Sequence, residues 1–499
     1  MIQNVLVLGA GSAGLFAALT LKKKIPSLGV RVVRSAALGV IGVGESTTPN
    51  LPKHLFEYMG ISHRQFYALV HPTWKMGIHF IWGPREAFDY GFAQQMDAQW
   101  SDLPRPNGFY CDEDFSFADL NSSLMALGKA FPRQPQGGGP HIPDWHAFHL
   151  DNPKLVKGLE VIASEAGIEF IDANMKGAER GPAGLSAIVL EDGRKLEADF
   201  FVDASGFRSE LLGRTLAEPF VSFDRSLFCD RAVVGSWERT DEPILPYTIA
   251  ETMDAGWCWQ IEHEDAVNRG YVFSSGSLSD DHAHAEFMRK NPKAKTWDHV
   301  VKFRSGRYQR LWIDNVLAVG NSGGFVEPLE ATALMVVCWQ CRTFVDFLLH
   351  SGAAPPPSLR ELYNRKATET WDEIRDFLSI HYRFNTRLDT PFWQKCRAEV
   401  DVSRVAPLLD FYRENGPTGF CRHFLGTTGS QFGVEGFLVQ LVGNRVPYEK
   451  RYVPTEAEWA TWNRHRQDNK TQAAAGMDVK EALSYIKHPN WRWHAEARG

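Results

Sequence analysis

The chain has 499 residues, of which 44% are apolar and 23% are charged, the balance of an ordinary globular protein. Its length is sufficient for two or three domains' worth of hydrophobic core. The formal net charge is −6, and like charges form no long blocks, which argues against a nucleic-acid surface. Seven scattered cysteines, an odd number, indicate no disulfide framework.

The first residues predict a βαβ unit with a nucleotide-binding turn. Residues 5–8 and 30–33 read as short apolar strands, and residues 15–24 read as the helix between them. The turn carries Gly9, Gly11 and Gly14, which allow a tight turn, close approach of the backbone to a pyrophosphate, and close helix–strand packing. The helix N-terminus then faces the phosphate charge. The sequence therefore predicts dinucleotide binding at this turn.

The second strand ends in Arg34 and Ser35, without the acidic residue that holds the ribose in many dinucleotide sites. Arg34 is compatible with a 2′-phosphate, or with a main-chain contact to the adenosine part of FAD. Strands ending in residues 203–206 and 320–323 resemble segments of FAD-binding monooxygenase-like folds and favour FAD. Asn321 stands where such folds carry an aspartate toward the ribityl chain, and its amide can still hydrogen-bond a sugar hydroxyl.

The remaining patterns predict an α/β fold with interleaved sheet segments. We expect a helix over 155–166, a strand over 168–171, a hairpin of 185–190 with 195–202, and a strand over 311–320 that leads into a long apolar helix. These segments complete a Rossmann-like FAD-binding body of the monooxygenase type. Three prolines at 355–357 mark its end, and helical patterning such as 362–380 follows. We therefore expect a body at 1–357 and a mainly helical cap at 358–499.

Other features of the chain predict ordinary structure. The N-terminus has no charged leader, and no stretch of 18 uncharged apolar residues is present, so we expect a cytoplasmic protein without membrane spans. Cys338 and Cys341 have redox or metal spacing, but they lie in an apolar helix where two small residues on a buried face are expected. No Glu-x-x-His arrangement supports iron or zinc, so no metal is predicted at these histidines: His141, His146, His149, His282 and His284.

Four segments resemble, in order, the motifs of the flavin-dependent tryptophan halogenase family. They are residues 9–14, 42–50 (Gly-Val-Gly-Glu-Ser-Thr-Thr-Pro-Asn), 74–80 (Trp-Lys-Met-Gly-Ile-His-Phe) and 325–333 (Phe-Val-Glu-Pro-Leu-Glu-Ala-Thr-Ala). The resemblance covers about residues 1–350. It implies that reduced FAD and oxygen convert a halide to hypohalous acid, which passes through an internal channel to a separate aromatic substrate. It also implies a separate NAD(P)H-dependent flavin reductase that delivers FADH2 by diffusion.

The family's catalytic lysine and glutamate correspond to Lys75 and Glu330. An ammonium in a dry channel can hydrogen-bond and polarise hypohalous acid, or be halogenated itself. A carboxylate can take the proton from the halogenated ring or orient the oxidant. Without the resemblance, Lys75 would read as a surface lysine on a strand, and Glu330 as a charge that complements a helix dipole.

The resemblance also assigns the cofactor and halide sites. The cofactor residues are Gly9, Gly11, Ser12, Ala13, Gly14, Arg34, Ser35, Gly44, Glu45, Ser46, Asn321 and Leu334. The halide site corresponds to Thr332 and Ala333, where backbone N–H groups at a helix start can bind a small anion. Ala333 stands where the family has glycine, which bears on the preference between chloride and bromide.

Trp257 and Trp259 resemble the family's Trp-x-Trp-x-Ile-Pro stretch, with Glu262 in the place of proline. Their alternation predicts that both face one side of a strand. Two interpretations stay open: they are plain sheet core, or they form a wall that keeps the substrate away from the flavin.

The substrate side departs from the family's free-tryptophan enzymes. Tyr90 and Phe92 match an aromatic substrate segment, with Tyr90 in the place of histidine, and residues 426–436 lack a convincing counterpart of the clamp for the amino-acid end. Free tryptophan would lose several charged hydrogen bonds there, each worth about 1.5–3 kcal/mol. We therefore expect a wider pocket for an indole-like or phenolic ring, free or carried on a larger molecule. The rival functions are a single-component FAD aromatic monooxygenase and a non-catalytic flavin-binding protein.

Overall fold

The computed structural model describes residues 1–35, 44–93, 103, 115–135, 138–182, 184–297, 299–426 and 430–493. The chain forms two compact units, each assembled from three separate stretches of sequence. Unit 1 comprises Met1–His71, Leu150–Asp224 and Phe303–Asp372, and unit 2 comprises Pro72–His149, Arg225–Lys302 and Glu373–Gly499. The division at residue 357 that the proline run suggests stays a prediction.

The strands, in chain order, are β1 (Asn4–Leu8), β2 (Gly29–Arg34), β3 (Glu45–Ser46), β4 (Thr73–Lys75), β5 (Gly77–Ile81), β6 (Phe88–Gly91), β7 (Ala147–Leu150), β8 (Glu169–Asp172), β9 (Met175–Gly181), β10 (Gly184–Leu190), β11 (Lys195–Glu197), β12 (Phe200–Asp203), β13 (Phe220–Ser222), β14 (Arg231–Glu238), β15 (Thr248–Met253), β16 (Gly256–Glu262), β17 (Ala266–Phe273), β18 (Lys295–Thr296), β19 (Val301–Lys302), β20 (Gly306–Tyr308), β21 (Trp312–Ile313), β22 (Val316–Ala318) and β23 (Gly324–Phe325).

The helices, in chain order, are α1 (Ser12–Lys24), α2 (Asn50–Pro52), α3 (His63–Val70), α4 (Leu120–Ala126), α5 (Asn152–Glu165), α6 (Asp280–Lys290), α7 (Ala333–His350), α8 (Pro357–Phe384), α9 (Pro391–Glu399), α10 (Ala406–Asn415), α11 (Gly433–Gly443), α12 (Glu456–Ala474) and α13 (Val479–Ile486).

Unit 1 is organised around a six-stranded sheet in the order β21-β22-β12-β1-β2-β8. Strands β22, β12, β1, β2 and β8 run parallel, and α1 is the crossover between β1 and β2. The apolar run of β1 is buried along its whole length after Asn4, as expected for a parallel strand covered on both faces. The predicted α/β fold with interleaved sheet segments is confirmed, because three distant parts of the chain supply this one sheet.

Two predicted elements of unit 1 were wrong. Residues 195–202 are not one strand: β11 pairs with β10 in a small antiparallel sheet, whereas β12 joins the main sheet. The chain turns between them at Asp199, whose carboxylate accepts the N–H groups of Gln3 and Asn4, both at 2.8 Å. Residues 311–320 are not one strand either, because β21 and β22 form a tight antiparallel hairpin. Asp314 takes a left-handed φ of 48° at its turn.

Unit 2 contains an eight-stranded sheet in the order β18-β14-β17-β16-β15-β5-β6, with β19 also paired to β14. Within the described residues, neighbouring strands of this sheet pair antiparallel, except that β5 and β15 run parallel. Strand β4 is outside this sheet and pairs antiparallel with β7. The described residues after 373 in this unit form helices and turns without strands, as the sequence predicted.

Helix α7 is the long apolar helix expected after the glycine-rich segment. Cys338 and Cys341 are buried on it as free thiols, and burial raises the pKa of each, consistent with two small core residues. By length and composition α7 could cross a membrane, and among the described residues it is the one helix that qualifies. More than half of it is buried inside the protein, as in a core helix.

The buried carboxylate of Asp203 holds the end of β12 to the turns that follow it. One oxygen accepts the N–H and the hydroxyl of Ser205, at 3.1 and 2.5 Å, and the other accepts the N–H groups of Leu211 and Leu212, at 2.8 and 2.9 Å. Its main-chain oxygen accepts the N–H of Val319, at 2.9 Å, and the hydroxyl of Ser322. One residue therefore joins the end of β12 to both neighbouring turns.

Asp203→Asn should destabilise the protein, because one amide oxygen cannot serve donors on both sides of the carboxylate. Each buried N–H left unsatisfied costs about 1–3 kcal/mol. We expect a lower denaturant midpoint by circular dichroism. Asp192→Asn is the matched control, since Asp192 is half exposed and its side chain bonds only to Arg194 nearby. Equal midpoints for Asp203→Asn and the wild type would contradict this role.

Candidate active site

Three separate segments of unit 1 meet at the glycine turn after β1. Gly9 has a φ of 112°, and a Cβ there would overlap the carbonyl oxygen of Ala204. A Cβ on Gly14 would overlap the carbonyl oxygen of Gly9, and one on Gly320 would lie 2.8 Å from the Cβ of Ala13. The first turn of α1, the end of β12 and the turn after β22 are thus packed so closely that only glycine fits at these positions.

The same turn leaves room for a phosphate group. Among the described residues, apart from its chain neighbours, no atom lies within 4 Å of the Cβ position of Gly11, which is the N-cap of α1. No side chain caps the helix start at Ser12, and its first turn carries no acidic residue. Backbone N–H groups with the helix dipole behind them suit a diphosphate. The residues present therefore fit the pyrophosphate of a dinucleotide such as FAD.

Arg34 uses its side chain within unit 1. Its guanidinium donates to Asp172 at 2.6 Å and to Glu160 at 2.9 Å, and lies over the ring of Phe170. These carboxylates, Asp172 foremost, raise the pKa of the guanidinium. A 2′-phosphate would have to displace both, which favours the main-chain role for Arg34 and the adjoining Ser35.

The next cofactor segment is partly described. Gly42 and Val43 lie outside the described residues, while Gly44 has a φ of 71° and Ser46 is buried. Desolvation raises the pKa of Glu45 to about 7, so this carboxyl group exchanges a proton near neutral pH.

Glu330 ends a short 3₁₀ turn, Pro328–Glu330, and is buried with 4% of its surface exposed. Glu330 is therefore shielded from solvent, and both its catalytic role and its alternative explanation, a charge that complements the dipole of the following helix, stay predictions. Ala331 follows with a left-handed φ of 56°, a conformation that costs a residue with a side chain some strain. Thr332 is the buried N-cap of α7, and its side chain makes no capping hydrogen bond.

The other predicted residues of this part of unit 1 surround the same turns. Asn321 is half-buried in the 3₁₀ turn Gly320–Ser322, Ala333 is half-buried at the start of α7, and Leu334 is buried next to it. A second buried carboxylate, Glu327, lies three residues before Glu330 with no exposed surface. Sequence analysis missed Glu327, although the Glu-Pro-Leu-Glu spacing carried the signal.

Lys75 is the last residue of β4 and has no exposed surface. The surface lysine that was its alternative explanation is therefore excluded, and a fully buried lysine is rare in proteins. Its Nζ lies 5.2 Å from the centroid of the Phe92 ring, within the range of a cation–π interaction. Met76, the next residue, is fixed on both sides: its N–H donates to Pro246 at 2.7 Å, and its carbonyl accepts the Phe92 N–H at 3.0 Å.

Tyr90, on β6, faces aromatic residues of the C-terminal helices of unit 2. Its hydroxyl donates to the carbonyl of Phe432 at 3.4 Å, and the Phe432 ring stacks on Phe377 with centroids 3.9 Å apart. Glu373 holds this segment by accepting the hydroxyl of Ser430 and the N–H of Gln431, the latter at 2.7 Å. Residues 427–429 lie outside the described residues.

Trp257 and Trp259 lie on β16 with ring centroids 6.1 Å apart, and both are buried, so the prediction that they share one side is confirmed. The ring of Trp259 fills the space where Gly270 has no side chain. Such packing is that of sheet core, and the wall interpretation stays a prediction. Glu262, in the place of the family's proline, is buried and paired with Arg239, a partner that no sequence pattern indicated.

The histidines considered for metal binding lie in ordinary surroundings. His146 contacts the carbonyl of Pro143, and His284 contacts the hydroxyl of Thr296. Within the part of the chain that the structure describes, no three His, Cys, Asp or Glu side chains converge on a metal position.

Known proteins share this architecture over nearly the whole chain. A family model described as tryptophan halogenase matches residues 4–457. Tryptophan 7-halogenase KtzQ from Kutzneria sp. (strain 744) is 31% identical over 451 residues, which are 83% of this chain and 82% of that protein.

Two solved structures superpose closely on the chain. MibH, a lanthipeptide tryptophan 5-halogenase, has a TM-score of 0.88 and 37% identity over 98% of this chain and 94% of its own. BrvH, a flavin-dependent halogenase from Brevundimonas sp. BAL3, has a TM-score of 0.85 and 25% identity over 97% of this chain and 99% of its own. With the glycine turn and the motif segments in place, these matches show that the chain belongs to the tryptophan halogenase family, whose members are flavin-dependent enzymes that halogenate aromatic rings.

Proposed function

We propose that this halogenase acts on the indole ring of a tryptophan residue carried in a peptide, with chloride or bromide as the halogen source. The observation that carries the catalytic part of the proposal is the complete burial of Lys75 beside an aromatic ring. Removing an ammonium group from water costs free energy, and desolvated charges of this kind concentrate at functional sites. The family match favours halogenation over the hydroxylase and the non-catalytic alternatives.

FAD would be held by the turn Gly9–Gly14, by Gly44, Glu45 and Ser46, and by Asn321. The N-terminus of α1 would bind the pyrophosphate through its backbone N–H groups. When bound, reduced FAD together with oxygen supplies the oxidising power that converts a halide to hypohalous acid.

Lys75 would hydrogen-bond the oxygen of hypohalous acid through its ammonium group. This bond makes the halogen more electrophilic, and in a water-excluded site it is stronger than in solution. The ring carbon then forms its bond to the halogen while the oxygen–halogen bond breaks. Protonation of the oxygen gives water, so hypohalous acid and the ring C–H become water and the C–halogen product.

Glu330 would accept the proton that leaves the halogenated ring carbon. A carboxylate suits this step because loss of the proton restores the aromatic ring. Thr332 and Ala333 would bind the halide through backbone N–H groups at the start of α7, where no side chain takes up the cap. Ala333 stands in the place of the family's glycine, and its side chain restricts the backbone conformations that this turn can adopt.

Reduced FAD would come from a separate NAD(P)H-dependent flavin reductase by diffusion. The sequence contains one Gly-x-Gly-x-x-Gly turn, at Gly9, and the same turn cannot hold a flavin and a nicotinamide dinucleotide together.

The peptide substrate is supported by two independent observations. MibH, a lanthipeptide tryptophan 5-halogenase, is 37% identical over 98% of this chain, whereas tryptophan 7-halogenase KtzQ is 31% identical over 83% of it. The described residues around Tyr90 and Phe432 bring aromatic rings together, with the Tyr90 hydroxyl bonded to the Phe432 carbonyl. A tryptophan inside a peptide has no free ammonium or carboxylate to satisfy.

Lys75→Ala should lower halogenation by a factor on the order of 10²–10⁴, the usual cost of losing a positioned catalytic group. The assay is mass spectrometry of the aromatic product with FAD, NADH, a flavin reductase and chloride or bromide, in which the product gains one halogen. Lys154→Ala is the control, since Lys154 is partly exposed on α5. Full halogenation by Lys75→Ala would refute the assignment.

Glu330→Gln should lower kcat by about 10²-fold or more, because an amide cannot take the ring proton. The KM for the aromatic substrate should change little. The comparison is Glu361→Gln, an exposed carboxylate on α8, which should behave as the wild type. A Glu330→Gln enzyme with normal kcat would leave that group without a chemical role.

A peptide with an internal tryptophan should have a kcat/KM at least tenfold above that of free tryptophan. Desolvating free charged ends without partners costs more than about 1.4 kcal/mol, which corresponds to a factor of ten. The measurement is competition between the two substrates in one reaction, followed by mass spectrometry. N-acetyltryptophan amide separates the effect of charge from that of peptide length. A preference for free tryptophan would rule out the peptide proposal.

A further inference from the structure

Lys75 lies where the chain passes from one β-structure of unit 2 to another. It is the last residue of β4, which pairs with β7, and Gly77 two residues later begins β5 in the eight-stranded sheet. The direction of the Lys75 side chain therefore depends on how the β4–β7 ribbon is fixed against that sheet. In the ribbon, Lys75 is opposite Ala147, and Thr73 is opposite His149, so all four side chains share one face.

The His149 side chain bonds the ribbon to two strands of the sheet. Its Nε2 lies 2.8 Å from the hydroxyl of Thr248, the first residue of β15, and its Nδ1 accepts the N–H of Glu262, the last residue of β16, at 3.4 Å. The hydroxyl of Thr73 donates to the carbonyl of the same Glu262. Both main-chain groups of Glu262 are thus bonded to the ribbon, and His149 reaches a second strand as well.

Burial and the neighbouring charges both disfavour the protonated form of His149. Burial first, then Lys75, His263 and Arg239, lower the pKa of His149 well below its ordinary value. The carboxylate of Glu262 is paired with Arg239 and accepts from Gln260 at 2.6 Å. A neutral ring whose Nδ1 accepts the Glu262 N–H must carry its proton on Nε2, where it donates to Thr248. His149 therefore bonds in two directions without adding a positive charge next to Lys75.

We infer that His149 is a positioning residue for Lys75: it holds the β4–β7 ribbon against β15 and β16, and so aims the ammonium group. This inference rests on the proposed catalytic role of Lys75. An ammonium displaced by about 1 Å from its productive position costs on the order of 10²-fold in rate. Hypohalous acid that is no longer held then leaves the protein before it meets the ring.

The test follows the fate of the oxidised halogen in the full-length enzyme with FAD, a flavin reductase and bromide. Bromination of the aromatic substrate and bromination of a soluble 1,3-diketone, which captures oxidant that escapes, are measured in the same reaction. His149→Phe should lower aromatic product by about 10- to 100-fold and increase diketone product, with FAD binding unchanged. His149→Gln, which can accept and donate in the same directions, should recover part of the aromatic product. Thr248→Val, a milder variant, should shift the ratio in the same sense.

His54→Phe is the matched control. His54 is also a buried histidine bonded to a threonine hydroxyl, Thr20 at 2.9 Å, and burial lowers its pKa to about 4, but it belongs to unit 1. It should lower the melting temperature without changing the product ratio. Wild-type ratios in His149→Phe and Thr248→Val, with Lys75→Ala impaired, would overturn the positioning role alone. An unimpaired Lys75→Ala would overturn the proposed catalytic role and the positioning inference with it.

Discussion

Unit 1 depends on the carboxylate of Asp203 at the carboxyl end of β12. Four donors converge on its two oxygens, and its main-chain oxygen receives two more from the turn after β22. Since Ala204 immediately follows, the same anchor fixes the backbone against which Gly9 packs without room for a Cβ. A buried carboxylate is costly to desolvate, and burial accordingly raises its pKa, but it can bind more N–H groups in one place than any neutral side chain. Asp203 therefore fixes the backbone against which the glycine turn packs.

Much of the fold could be predicted from sequence, because the decisive signals are local. The apolar run of β1, the spacing of Gly9, Gly11 and Gly14, and the helix after them are contiguous, and the structure confirms them. The strand predicted over 195–202 was wrong because a distant group decides the path of the chain there. Asp199 turns the chain because it binds the N–H groups of Gln3 and Asn4, nearly two hundred residues away, and no period in the sequence reports such a contact.

The candidate site shows the same limit. Lys75 and Glu330 came from motifs whose residues are contiguous in sequence, and burial then excluded the surface explanation for Lys75. Glu262 read as a departure from the family pattern, a polar residue where proline is usual. Its partner Arg239 also donates to the carbonyls of His263, Glu242, Pro243 and Ala266, so one side chain closes the turn that the proline would otherwise stiffen. The sequence alone does not reveal that the Glu262–Arg239 pair replaces the proline, because the replacement depends on five contacts of one guanidinium.

The assembly of each unit from three stretches of chain has a consequence for biosynthesis. Val5 of β1 pairs on one side with Val30 and on the other with Phe200. A ribosome that adds about 5–20 residues per second needs roughly 10–40 s to deliver the second neighbour after the first strand has emerged. Throughout that interval a nascent strand that is apolar after Asn4 exposes one unpaired edge, which is prone to pairing with other chains. Because the stretches of the two units alternate along the chain, no single cut in the gene separates one unit from the other.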